Sequence, residues 1–153
     1  MFNTSNKKYK LTDNTKEIEG HTLHQIKALK SFGNVKKGDL GGWIEGYDNL
    51  SQSDTAWVYG DAMVYYKAMV LGNAKVYGNA QIDGYAIVLG NAKVFGNAFV
   101  GGYATVLGNA KVFGNAFVGG CVRVLGNANV YGYAIVEGIT WVCGHAKVYG
   151  KVS

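Results

Sequence analysis

The amino-acid sequence predicts an all-β protein, a parallel solenoid of short strands wound into a three-sided coil with a small β-rich cap at its N-terminal end. Two observations carry the coil. From Val58 to Ser153 the chain divides into consecutive blocks of six without an insertion, sixteen blocks in all. In addition, Val88–Gly102 reads VLGNAKVFGNAFVGG and recurs unchanged at Val106–Gly120, so three blocks make one turn. A third observation limits the alternatives: 23 Gly with no Pro and only 2 Cys excludes collagen-like, Pro-rich and disulfide-built architectures.

Residues 1–43 come first and show no six-residue phase. They hold 8 of the 15 basic residues. Tyr9–Leu11, Lys16–Ile18 and His21–Leu29 read as short strands broken by turns at Asp13-Asn14 and Glu19-Gly20. The spacing of Leu23, Ile26 and Leu29 also suits a helix over 23–29. These residues form the expected capping segment, which covers the open end of the coil. Gly38–Trp43 is a turn-rich junction. Ile44 and Leu50 then stand six apart and Leu50 and Val58 eight apart, so the coil, assigned to 44–153, begins imperfectly near Trp43.

The blocks read Val-x-Gly-x-Ala-x. Val opens 15 of them and Ile82 the other; Gly holds the third place in 15, with Tyr66 the exception; Ala holds the fifth in 13, replaced by Val122, Thr140 and Val152. Ala and the following Val lie two apart, so both point to one side of a strand, inward. Gly at the third place, followed by Asn at Asn73, Asn79, Asn91, Asn97, Asn109, Asn115 and Asn127, supplies the corners, because both residues tolerate positive φ. Stacking at about 4.8 Å gives a tube roughly 25 Å long, near five coils for this stretch.

Sorting the outward residues by the three-block period separates three faces. The first carries Met69, Ile87, Thr105, Arg123 and Trp141 beside Leu71, Leu89, Leu107, Leu125 and Cys143. The second carries Trp57, Lys75, Lys93, Lys111, Asn129 and Lys147 beside Tyr59, Tyr77, Phe95, Phe113, Tyr131 and Tyr149. The third carries Met63, Gln81, Phe99, Phe117, Ile135 and Ser153 beside Tyr65, Asp83, Gly101, Gly119 and Glu137.

The first face is apolar almost throughout, a strip running the length of the tube and more than the roughly few hundred Å² a monomer leaves exposed. It predicts self-association as a homotrimer or other closed oligomer through Leu71, Ile87, Leu89, Leu107 and Leu125, with Phe99, Phe117 and Ile135 as a second patch. Residues 1–43 are too few to cap the tube and cover that face as well. The last coil, ending at Val152-Ser153, adds an unpaired edge.

Candidate ligand contacts are Lys75, Lys93 and Lys111 with Tyr77, Phe95 and Phe113, and Arg123. This mixture suits anions bearing planar bases. Residues 58–153 hold 7 basic and 3 acidic side chains, most of the chain's net charge of +5. The competing account is that lysines keep a flat sheet soluble. Extended nucleic acid is not expected as a partner, since one Lys column is a thin footprint. Sparse Thr argues against ice binding.

No catalytic constellation emerges. There is no GxSxG, no phosphate-cradling loop and no carboxylate pair, because Asp61, Asp83 and Glu137 fall on distant coils. His21, His24 and His145 are too dispersed for zinc, and Cys121 and Cys143 form no CxxC. No cofactor or metal is expected. No apolar run approaches the roughly 20 residues of a membrane span, and the polar start Met1–Lys10 shows no secretory signal. A cytoplasmic setting is expected.

Blocks that open with an aliphatic residue and carry a small one at the fifth place resemble the hexapeptide-repeat proteins, which form a left-handed parallel β-helix. The likeness covers Val58–Ser153. It departs in having Gly third, with Leu, Tyr or Phe second. The opening KYKLTDNTKEIEGHTLHQIKALKSFG with GDLGGWIE and NLSQ is similar to small hexapeptide-repeat proteins of bacteriophages and prophages. That second resemblance implies a host-directed role in a bacterium, binding a defence protein or sequestering a small nucleotide signal. Many hexapeptide-repeat proteins are trimeric acyltransferases with a His base and an extruded loop. Here the repeat has no such loop, and its only His, His145, stands at a corner place held elsewhere by Asn. A non-enzymatic binding protein is therefore expected, with an acyltransferase-like enzyme and a virion or scaffold component as alternatives.

Overall fold

The computed structural model describes residues 7–153 and shows an all-β chain. A parallel solenoid of about six coils, three short strands to a turn, presents three sheets. Met1–Asn6, part of the polar start considered above, lie outside the described residues. Each side of the coil contributes a two-residue strand whose second member is the block-opening Val or Ile, buried from Val58 through Val142. Ala at the fifth place is buried from Ala56 to Ala134. Two inward residues per side leave a tube just wide enough for Val and Ala. Leu107 and Phe117 lie outside it, the first half-buried and the second 39% exposed.

Backbone bonds run from each coil to the next in a fixed register: Lys93 N–H donates to Ala110 O at 3.0 Å and Phe95 N–H to Val112 O at 3.0 Å. The corners turn through positive φ. Gly90 has φ 66°, and a Cβ there would stand 3.0 Å from Gly108 N in the stacked corner below. Tyr66, the one non-Gly third-place residue, adopts the same conformation at φ 59°.

The first-face sheet has five strands and the second-face sheet six. The third-face sheet has nine, because β1 (Tyr9–Ile18), β2 (His21–Ala28) and β3 (Leu40–Ile44) extend it beyond the coils. β3 runs parallel to Met63–Val64, and β2 and β1 follow antiparallel. The 23–29 segment is therefore strand, not helix: Leu23, Ile26 and Ala28 are buried in β2 while β1 and β3 take up its backbone groups. The Asp13-Asn14 turn is a bulge inside one continuous β1, since the register shifts between Leu11 and Thr15. Tyr9, Ile26, Ala28 and Val35 join the tube's core and close its N-terminal end.

The imperfect first coil has a structural purpose. Ile44 and Leu50 take inward places, Leu50 bridging to Val70, and the two extra residues before Val58 form a loop that grips β1. Gln52 Oε1 accepts from Lys8 N–H at 2.7 Å and Tyr9 N–H at 3.2 Å, while its Nε2 donates to Tyr9 O at 3.2 Å. Lys8 is buried and donates from Nζ to Ala56 O at 2.6 Å, and desolvation holds its ammonium below the ordinary lysine range. Asn49 ties the first corner: Oδ1 accepts from Glu45 and Gly46 N–H at 3.0 and 2.9 Å, and Nδ2 donates to Ala68 O at 2.8 Å.

The last corner departs from the six-residue phase. Val152 pairs with Val136, so it takes the place of a block-opening residue and does not hold the fifth place of its block. The corner between Val148 and Val152 is thus two residues short, and it is Lys151, not Ser153, that stands outward beside Ile135. Glu137 N–H donates to Val152 O at 3.0 Å, which secures this register.

Candidate functional site

The second face places Lys75, Lys93 and Lys111 side by side on adjacent strands, in register. Beside them Tyr77, Phe95, Phe113 and Tyr131 stack nearly parallel, with centroids 4.7, 4.8 and 5.3 Å apart. The sequence-predicted ligand residues of this face are therefore adjacent. Arg123 is not among them: it lies on the first face, over the Trp141 ring at 5.2 Å.

The N-terminal cap alters the top of the second face. Trp57, outward by phase, is only 1% exposed, because Phe32 and Tyr9 pack edge-on against it at 5.2 and 6.1 Å. A turn held by the Phe32–Val35 bridge overhangs the sheet, and the Tyr59 hydroxyl donates to Asn34 Oδ1 at 3.0 Å. Under this turn lies a hollow of about 380 Å³ lined by Asn34, Tyr59, Lys75, Tyr77 and Lys93. A second of about 310 Å³, bordered also by Thr55, Asn73 and Asn91, adjoins it. Lys75 and Lys93 are half-buried there, while Lys111 below is exposed. Burial raises the Tyr59 and Tyr77 phenols above their usual range.

On the first face, Ile87, Leu71, Leu89, Leu107 and Leu125 are half-buried, with Met69 42% and Trp141 62% exposed at its two ends. β1 and β2 continue the third-face sheet and lay no strand over this strip. One corner bordering it was missed from the sequence. Tyr66, Tyr85 and Tyr103 form an exposed ladder, with centroids 5.6 and 5.0 Å apart. The other two corners carry Asn ladders, such as Asn79 Nδ2 to Asn97 Oδ1 at 3.3 Å. The one-turn spacing of Tyr85 and Tyr103 was the available signal, hidden by reading fourth places only as turn formers.

On the third face Phe99 and Phe117 stack at 5.2 Å. Their rings lie over Gly101 and Gly119, where an added Cβ would come within 2.8 and 3.0 Å of them. Ile135 continues the patch. Above it the β1–β2 tip folds down: Tyr65 is 2% exposed and donates to Glu19 Oε2 at 3.4 Å. Burial raises the Tyr65 phenol, and burial likewise raises the Asp83 carboxyl against the lowering hydrogen bond from Tyr65.

At the same tip His21 Nδ1 meets Glu45 Oε2 at 2.8 Å, and Glu45 Oε1 accepts from Tyr66 N–H at 2.7 Å. These residues border a cleft of about 740 Å³ that also includes Asp48, Lys67, Met69 and Tyr85. His24 Nδ1 bonds instead to Thr12 O at 3.1 Å, and His145 is an exposed corner residue on the last coil. Among the described residues no three His, Cys, Asp or Glu side chains gather in a way that could hold a metal ion, and no helix is long and apolar enough to cross a membrane.

The chain matches no family model and no curated protein.

Proposed function

We propose that this chain is a self-associating binding protein that acts by capture and not by catalysis. The observation that carries the reading is the first face together with its tyrosine corner. The first face, apolar apart from Thr105 and Arg123, runs over five stacked strands, and an aromatic edge of Tyr66, Tyr85 and Tyr103 widens it. Water in contact with so large an apolar surface favours covering it, and the first faces of other copies, meeting about a common axis, offer a matching surface. A closed trimer satisfies every copy, with Phe99, Phe117 and Ile135 as a subsidiary contact. The corners between the repeat strands are tight turns with no extruded segment to enclose a reacting substrate. The resemblance to phage hexapeptide-repeat proteins alone supports a left-handed coil and a host-directed role in which a bacterial protein or a small nucleotide is held.

Light scattering of the purified chain tests the association. The expected mass is three times 16.4 kDa, and Leu107→Asp reduces it to a single chain while the circular dichroism spectrum is retained. A wild-type chain that scatters as a monomer overturns the proposal.

A further inference from the structure

We propose that the hollow between the Phe32–Val35 turn and the top of the second face binds a small phosphate ester carrying a planar ring, in chemical class a mononucleotide or dinucleotide. The inference rests on reading the chain as a binding protein, but it uses one chain's residues only. Neither adjoining hollow is bordered by an Asp or Glu, whereas the clefts at the hairpin tip and beneath Leu50 include Glu45, Asp48 and Asp54. Lys75 and Lys93 stand directly opposite each other in a parallel pair, a like-charge juxtaposition that weakens a sheet unless an anion lies between. Among the described residues neither has a carboxylate within ion-pair distance.

Hydrogen-bond donors are in surplus as well. Asn34 Oδ1 is occupied by the Tyr59 hydroxyl and Asn91 Oδ1 by Asn73 Nδ2, so both side chains retain an N–H donor with no protein partner among the described residues. Two ammonium groups and two amides with no opposing carboxylate suit phosphate oxygens.

The aromatic ladder supplies the planar half. From Tyr77 downward the rings are parallel, but Tyr59 is turned to 84° against Tyr77 at 6.2 Å, so parallel stacking stops at the hollow. Tyr59 and Tyr77 both border the hollow, and a planar base can pack against these aromatic side chains. The combined space lies within the range of about 300–1,000 Å³ usual for small-ligand sites. The overhanging turn closes one end, which favours a short ligand over a polymer.

Calorimetric titration with AMP, cyclic di-AMP, inorganic phosphate and a single-stranded DNA decamer tests this. At least one nucleotide is expected to bind tenfold or more tightly than inorganic phosphate. Lys75→Ala/Lys93→Ala and Tyr77→Ala each weaken it tenfold or more, and Lys147→Ala, at the far end of the same column, leaves it unchanged. Ligand-free Lys93→Ala melts no lower than wild type, which separates lost binding from lost folding. On the Leu107→Asp chain the affinity is retained, so this site and the self-association fail in separate experiments. The site is overturned if neither nucleotide binds, if the lysine variants keep full affinity, if inorganic phosphate or the decamer binds as well, or if Leu107→Asp abolishes binding.

Discussion

Within the third-face sheet, Val100 is held by Ile82 on one side and Val118 on the other, each one full turn away and each a copy of the same environment. Tyr9, in the same sheet, is held by unlike partners. Its hydroxyl donates to Leu50 O at 2.6 Å, its backbone bonds to the Gln52 amide, and its ring meets Trp57. The coil is thus fixed by one repeated solution, while the cap depends on single side chains whose partners lie far along the chain. Damage should spread differently in the two: along the tube from a coil residue, and all at once through the cap from an anchor residue.

The largest effect is expected at the anchor. Trp57→Ala removes the ring against which Tyr9 and Phe32 pack, a loss of about 3–5 kcal/mol for a buried aromatic. Proteolysis should then cut residues 10–40 first and leave a resistant coil; simultaneous digestion of both regions would show that cap and coil unfold as one. Inside the tube, Ala98→Leu overpacks a place that is 1% exposed, lowering stability by about 1–3 kcal/mol, and unchanged melting would contradict the inward assignment.

Smaller still is an effect of pH. Burial raises the phenols of Tyr9, Tyr59, Tyr65 and Tyr77, so folded chains keep protons that unfolded chains release above about pH 10. Stability should fall as pH rises beyond that point, most through Tyr9 and Tyr65. Lys8 acts in the opposite sense: its folded value lies below the unfolded one, and its unfavourable contribution fades as pH climbs towards the lysine range. Urea midpoints at pH 8, 10 and 11 check the sign, with a decline above pH 10 for wild type and a shallower one for Tyr65→Phe.

This contrast also explains what could be read from the chain. The Val and Ala places and the corner glycines were legible because every one is tested again at the next turn of the coil. Gln52, Asn49 and Lys8 were not, since their partners have no periodic relation to them. Val152 misled for a related reason: VYGKVS fits the six-residue phase as text, but closing the coil required a corner two residues shorter. Apart from Ser153, whose outward place Lys151 takes, the faces were sorted correctly by period, yet the cap's effect on them was invisible. It hides Trp57 and Tyr65, and it makes a hollow above Lys75 that no count of outward lysines could show.

Hydroxyl-radical footprinting of the native chain tests most directly whether the first face is covered in solution. Coverage of this face predicts that Met69, Leu89, Leu107, Leu125 and Tyr103 are protected in the wild type and that the remaining positions become labelled in Leu107→Asp, while Phe113 and Tyr131 on the second face are labelled equally in both. Labelling of Leu89 and Leu125 in the wild type at the level seen in the variant would contradict it.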